Sequence, residues 1–234
     1  VMNHAKLKKI VFRYLHYLLM GAISVIMVLP FSWTLATSMR KANNSFTLPP
    51  AIFPTIWDGE NYRRVFEELK ICKYMANSLI VTLGSLVIMV LVTSMAAYAF
   101  SRIEFKGRNA LFPVLLAGLM IPSQSIASPV FLIIRQMNLI DNLFSLILTL
   151  VYYPLGLFML RQAMMSIPKS YDEAAYCDGA GHIAIYARII LPMTKSTIMM
   201  MVVMHFIRAW NDFFNPLLFI NSNAKMTVPL GIRM

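Results

Sequence analysis

The chain has 234 residues, of which 59% are hydrophobic and only 13% charged, and its formal net charge is +11. Soluble domains carry about 25% charged residues, so the composition excludes an ordinary soluble domain and predicts an integral membrane protein, expected to be all-α because its apolar runs are the length of membrane-spanning helices. The charges are too few, and the apolar sequence too extensive, for nucleic acid to explain the basic balance; in a membrane protein such an excess sits in cytoplasmic loops beside anionic headgroups and membrane lipid.

A membrane span needs about 20 mostly apolar residues, because the hydrocarbon core is ~30 Å thick. Residues 1–10 form a basic tail with Lys6, Lys8 and Lys9, and residues 11–37 the first candidate span, long enough to remain as an uncleaved anchor. Residues 38–73 read as an external loop with Pro49, Pro50, Pro54 and a short amphipathic helix near "NYRRVFEELK". A core bundle is expected over 74–220. Its spans are Tyr74–Phe100, an irregular one from Asn109, then Leu143–Met165 and Ser196–Ile220. Pro113, Pro122 and Pro129 each remove a backbone donor, which predicts a helix broken near Pro122 and a short interfacial helix to about Met137. Residues 166–195 form a polar loop before the last of these spans, and 221–234 an external segment. The tail, the Arg102–Arg108 loop and the Arg161–Lys195 segment share one side by parity, and all are basic. The N-terminus is therefore expected to be cytoplasmic, although the loop 38–73 also carries several basic residues. Cys72 and Cys177 then lie on opposite sides and form no disulfide, and no Cys/His cluster suggests a metal.

The polar loop can be built from local rules. Pro168 suits a helix start, and Ser170 with Glu173 has the S-x-x-E spacing of a capping box. Asp172 and Glu173 favour the positive helix end. Ala174, Ala175, Tyr176 and Cys177 continue the helix, and Gly179 and Gly181 can take the positive φ that ends it. A second short helix over about His182–Ile189 leads to Leu191-Pro192. The product is a helix–turn–helix along the membrane surface, whose small alanines fit a narrow groove in which Glu173 meets a basic partner. An ordinary amphipathic connector with normal caps has the same pattern.

Ionisable residues inside spans are functional candidates. Arg208 and Asp212, four apart in "FIRAWNDFF" beside Asn211, are expected to pair on one helix face, either lining a pathway or bracing two helices. Tyr152, Tyr153 and Pro154 interrupt the span at Leu143–Met165, and the two tyrosines can stack on sugar rings or simply pack. Gln124 and Ser125, after Pro122, can line a cavity or cap a helix. His16, His182 and His205 have no ligand spacing and read as structural; the 19 methionines read as flexible apolar filler.

The stretch "EAAYCDGAGHIAIYARIILP" resembles the cytoplasmic EAA motif of permease subunits of ATP-binding cassette importers: Glu-Ala-Ala, three residues, Gly, nine residues, Ile, one residue, Leu-Pro. The matching positions are Glu173, Ala174, Ala175, Gly179, Ile189, Leu191 and Pro192, with Asp178 inside the same motif. "NYRRVF", "NSLIVTLGS", "AAYAFSRIEFKGR", "MIPSQ", "FMLRQAMMSIP" and "AWNDFFNPLLFI" follow the same group in order, most like the second permease subunit of maltose-type sugar importers. The resemblance implies a type I importer permease-like helix bundle in a bacterial or archaeal inner (cytoplasmic) membrane. Such relatives have six spans, and about five candidates are present here. It further implies a second related permease, two cytoplasmic ATP-binding subunits that hold ATP and Mg, an external solute-binding protein and a sugar substrate. In that family the motif docks in a groove of the ATPase, with Glu173 as a charged contact and Gly179 at the bend. No G-x-x-x-x-G-K-[ST] loop is present to cradle a nucleotide, and no H-E-x-x-H or G-x-S-x-G to act as a catalyst. This chain is therefore expected to be neither an enzyme nor to hold a cofactor. A secondary transporter or channel, the alternative, would need intramembrane carboxylates or an inverted repeat, and neither is clear.

Overall fold

The computed structural model describes residues 4–40 and 57–233, and among these every regular element is helical. Residues 1–3 of the expected tail and 41–56 of the expected external loop, with Pro49, Pro50 and Pro54, lie outside the described residues. The chain divides into two units, residues 1–70 and 71–234.

In the first unit, α1 (His4–Ser38) is one 35-residue helix containing Pro30. It starts seven residues before the expected span, because Ala and Lys in "HAKLKK" are good helix formers that carry the apolar helix outward. Apolar side chains such as Phe12 and Phe31 are exposed around its surface, as befits a helix solvated by lipid. The amphipathic helix forms as α2 (Glu60–Glu67). Arg63 and Arg64 contact Glu60 at 2.7 and 3.4 Å, and the Arg63 hydrogen bond foremost lowers the Glu60 carboxyl to about 2.

The second unit is built around α3 (Ile71–Arg102), 32 residues long. Tyr74, Asn77, Ser78, Val81, Thr82, Ser85, Met89, Thr93, Ala97 and Tyr98 are buried along it, spaced by three or four residues and therefore on one stripe. Small Ser, Thr and Ala side chains on that stripe let neighbouring helices approach closely, while Leu79, Ile80, Leu83, Val87, Leu91 and Met95 remain exposed on the opposite face. Asn77 donates to the Ala224 and Met226 carbonyls at 3.0 and 2.9 Å, and Ser85 meets His205 Nε2 at 3.1 Å.

The irregular span becomes α4 (Arg108–Ala117), a 3-10 turn over Ser123–Ile126, and α5 (Ala127–Gln136). α4 has ten residues and is about 15 Å long, half a hydrocarbon core. α5 ends in a Schellman motif with Asn138 at φ 55° and the Leu139 N–H on the Ile134 carbonyl at 3.1 Å. Next come α6 (Leu143–Val151), capped by the Asn142 side chain on the Phe144 N–H, and α7 (Pro154–Met165). The pair bends by 42° at Tyr152-Tyr153, because Pro154 has no N–H to continue the ladder. The loop follows as α8 (Ser170–Cys177), α9 (His182–Ile185), a π-helical turn over Tyr186–Ile190, and α10 (Leu191–Met193). α11 (Lys195–Trp210) leaves α10 at 76°. α12 (Phe214–Phe219) and α13 (Val228–Gly231) complete the described chain.

Among the described residues two uninterrupted helices, α1 and α3, are long and apolar enough to cross a membrane, and counting each bent pair as one span gives up to four. The expected pairing of Arg208 with Asp212 does not form an ion pair. α11 stops at Trp210, so Asp212 leaves the helical register; its carboxylate accepts from Asn215 Nδ2 at 2.8 Å instead.

Candidate functional site

The loop between α7 and α11 carries most of the motif residues. The Gly179 N–H bonds the Tyr176 carbonyl at 3.0 Å and the Ala180 N–H the Ala175 carbonyl at 2.9 Å, with Gly179 at φ 77°. That is a Schellman motif with glycine at the left-handed position. Gly181, also expected at positive φ, is extended at φ −83° and ψ 170° and opens α9. Tyr176 Oη meets His182 Nδ1 at 2.8 Å across the turn, and their rings stand edge to face at 5.6 Å. The two short helices are thus locked into one elbow.

The expected capping box is absent. Ser170 already lies inside α8, and the Asp172 and Glu173 N–H groups bond the Lys169 carbonyl at 2.9 and 3.0 Å. Glu173 is exposed, and its carboxylate has no ionic or hydrogen-bonded partner among the described residues. Its neighbour Asp172 is buried and meets Arg102 Nη1 at 2.9 Å. Ala174, Ala175, Asp178 and Ile189 line one shallow open hollow with Ser170 and Tyr171. Leu191 and Pro192 lie beyond it, past the π turn. Pro192 cannot donate to the Arg188 carbonyl, and the Leu191 N–H reaches back five residues to Tyr186, the widened geometry of a π-bulge. Sequence reasoning missed Ile183, which is 84% exposed at the elbow; its signal was a large apolar side chain directly after the glycine-bounded turn.

A second feature is a cavity of about 520 Å³ between α4–α5, the α6–α7 break and α11–α12. Tyr152, Tyr153 and Arg208 are on its wall; Gln124, Ser125, Asn211 and Asp212 are not. The Arg208 guanidinium carbon lies 5.8 Å from the Tyr153 ring centre. Gln124 accepts from Ser123 at 3.3 Å in the exposed 3-10 turn, and Asn211 donates to the Ile207 carbonyl at 2.8 Å. Tyr152 donates to the Leu115 carbonyl, and Gly118 makes room for it, since a Cβ there would sit 2.3 Å from Tyr152 Oη. Tyr152→Phe is expected to cost about 1 kcal/mol, one net hydrogen bond, while keeping the cavity wall; unfolding of the detergent-solubilised protein in denaturant measures it, and an unchanged midpoint would mean that water replaces the bond.

Apolar bent helices packed around a central helix, a polar elbow between two of them and a partly open cavity with two tyrosines on its wall give the layout of a helix-bundle membrane protein. The family described as the binding-protein-dependent transport system inner membrane component matches residues 89–234, and the chain belongs to it. Over 211 residues it is 31% identical to the diacetylchitobiose uptake system permease protein of Streptomyces coelicolor, covering 89% of this chain and 70% of that one. It is 34% identical over 224 residues to the trehalose/maltose transport system permease protein of Thermococcus litoralis, covering 93% and 80%. The crystal structure of a bacterial ABC transporter involved in the import of the acidic polysaccharide alginate shares the fold, with a TM-score of 0.82 at 22% identity over 97% of this chain and 79% of that one. The chain is a membrane permease subunit of an ATP-driven importer.

Proposed function

We propose that this permease carries a sugar or oligosaccharide across the membrane and takes its energy from a cytoplasmic ATPase docked on residues 166–195. The exposed, unpartnered Glu173 beside the Schellman elbow at Gly179 carries the proposal. A carboxylate held on a short fixed helix meets a basic groove with little further loss of conformational freedom. Glu173, Ala174, Ala175, Asp178 and Gly179 form the docking face, and Ile189, Leu191 and Pro192 the joint that carries its motion into α11. ATP and Mg belong to two partner ATPase subunits, a second permease completes the pathway, and a solute-binding protein delivers substrate from outside. The N-terminus lies with the docking loop on the cytoplasmic side.

The sugar class follows from relatives named for diacetylchitobiose and trehalose/maltose. The half-exposed Tyr152 on the cavity wall supports it, because tyrosine offers a ring face for stacking and a hydroxyl for hydrogen bonds. Tyr153, Arg208, Asn211, Asp212, Gln124 and Ser125 are the remaining pathway candidates.

Glu173→Lys tests the docking. The variant is expected to insert at the normal level but to retain at least about tenfold less ATPase on co-purification, the loss of one charged contact. Wild-type retention would remove the docking claim. ATPase stimulation by binding protein loaded with each of a panel of sugars then reads out the substrate.

A further inference from the structure

Ser94, Tyr98 and Arg102 lie four residues apart on the last turns of α3, so they share one face. Each reaches the docking loop. Ser94 Oγ meets Tyr186 Oη at 2.7 Å, and Tyr98 packs edge to face on Tyr186 with ring centres 5.3 Å apart. Tyr98 Oη also approaches His182 Nδ1 at 3.5 Å. Arg102 Nη1 meets Asp172 Oδ2 at 2.9 Å, with the two side chains only 5% and 12% exposed. Arg102 Nη2 in addition donates to the Met164 and Ile167 carbonyls at 2.7 and 2.8 Å. One guanidinium therefore gathers the end of α3, the end of α7 and the first turn of α8. Asp172 directly precedes the proposed docking residue Glu173.

We propose that Arg102 is a positioning residue: through Asp172 it fixes the docking helix α8 rigidly to α3, so that displacement of the docked loop moves the central helix of the bundle. Covalently, α8 is joined to α7 through residues 166–169 and to α11 through the π turn and a 76° bend, and neither connection leads to α3. The Arg102–Asp172 contact supplies that missing link and acts directly on the helix against which α6, α7 and α11 pack. Removing one partner of a buried charge pair leaves the other charge uncompensated, and the planar fork of arginine presents its donors to a carboxylate and two carbonyls in a fixed geometry, whereas the three donors of a lysine ammonium sit on a flexible stem.

The inference rests on the docking reading above, and the experiment separates the two. The complete transporter, with its second permease, ATPases and loaded binding protein, is reconstituted in liposomes with Arg102→Met, Arg102→Lys, Asp172→Asn or Glu173→Lys. Two quantities are read: ATPase retained on purification, and substrate transported per ATP hydrolysed. Arg102→Met and Asp172→Asn are expected to retain ATPase near the wild-type level but to transport about tenfold less per ATP, within the range of coupling changes caused by residues that touch neither ligand. Arg102→Lys should fall between them and wild type. A wild-type transport-to-hydrolysis ratio in Asp172→Asn, the nearly isosteric change, overturns the proposal even if Arg102→Met fails to insert. So does a loss of retained ATPase that parallels the loss of transport, because that is what mere structural damage to the loop produces. If Glu173→Lys keeps its ATPase, the docking reading fails; if it loses it while the Arg102 and Asp172 variants couple normally, only the role of Arg102 fails.

Discussion

Gly179→Val is expected to abolish most coupled transport while leaving the chain in the membrane, and Gly179→Asn to preserve most of it. Gly179 has φ 77°, and an added Cβ there would meet no atom within 4 Å. The penalty for a side chain is therefore one of backbone conformation and not of collision with neighbours. For an ordinary L-residue the left-handed region costs roughly 1–2 kcal/mol, and a β-branched residue is the worst occupant. Asparagine visits that region routinely and is the usual second choice at this position of a Schellman motif; the same chain uses Asn138 in that way after α5. The order Gly, Asn, Ala, Val should thus run from most to least coupled, measured as transport per ATP hydrolysed in proteoliposomes. If Val and Asn behave alike, the elbow tolerates a changed direction of α9 and its shape is not what the ATPase recognises.

The elbow was legible because its causes are local. Proline, a short helix-forming run and a glycine lie within a dozen residues, and each acts on its own backbone. The Arg102–Asp172 pair was not, because it joins two residues 70 positions apart and only the packing of α3 against α7 brings them together. The capping box failed locally: serine and glutamate had the right spacing, but Lys169 begins the turn and puts Ser170 inside α8, while the neighbouring Asp172 pairs with Arg102. In "FIRAWNDFF" the i, i+4 rule assumed one continuous helix. The break after Trp210 moved Asp212 out of register and gave it the first turn of α12 to cap through Asn215. The break at Tyr152–Pro154, by contrast, was written in the proline. Tyr152, Tyr153 and Arg208 reach a common cavity through tertiary packing that no periodicity encodes.

At the end of the bundle away from the elbow, Asp141→Ala is expected to cost about 2–3 kcal/mol, the scale for hydrogen bonds to a charged group. Asp141 sits in the "NLIDN" turn at φ 57°. Its Oδ1 accepts from the Asn221 N–H, the Ser222 N–H and the Ser222 hydroxyl at 3.0, 2.9 and 2.9 Å. Lys225 Nζ lies 3.2 Å from Oδ2 and also donates to the Asp141 carbonyl. The carboxylate thus pins residues 221–225, whose Ala224 carbonyl receives Asn77 from α3. The Ser222 N–H foremost, with the Asn221 N–H, the Ser222 hydroxyl and Lys225, holds its pKa well below the usual carboxylate range against the opposing effect of burial. A depressed folded-state pKa contributes stability that is fully present above the unfolded value, about 3.9, and is lost as pH falls through the folded value. The stability gap between wild type and Asp141→Ala should therefore be constant from about pH 8 to 5 and narrow below about pH 4. Asp141→Asn, which shares the tolerance of aspartate for positive φ but lacks its charge, separates the ionic contribution from backbone strain. It should lose most of the pH dependence and only part of the stability. Denaturant unfolding in detergent at several pH values measures all three proteins, and a gap that stays level down to pH 2 would assign the stabilisation to the shape of the turn and not to its charge.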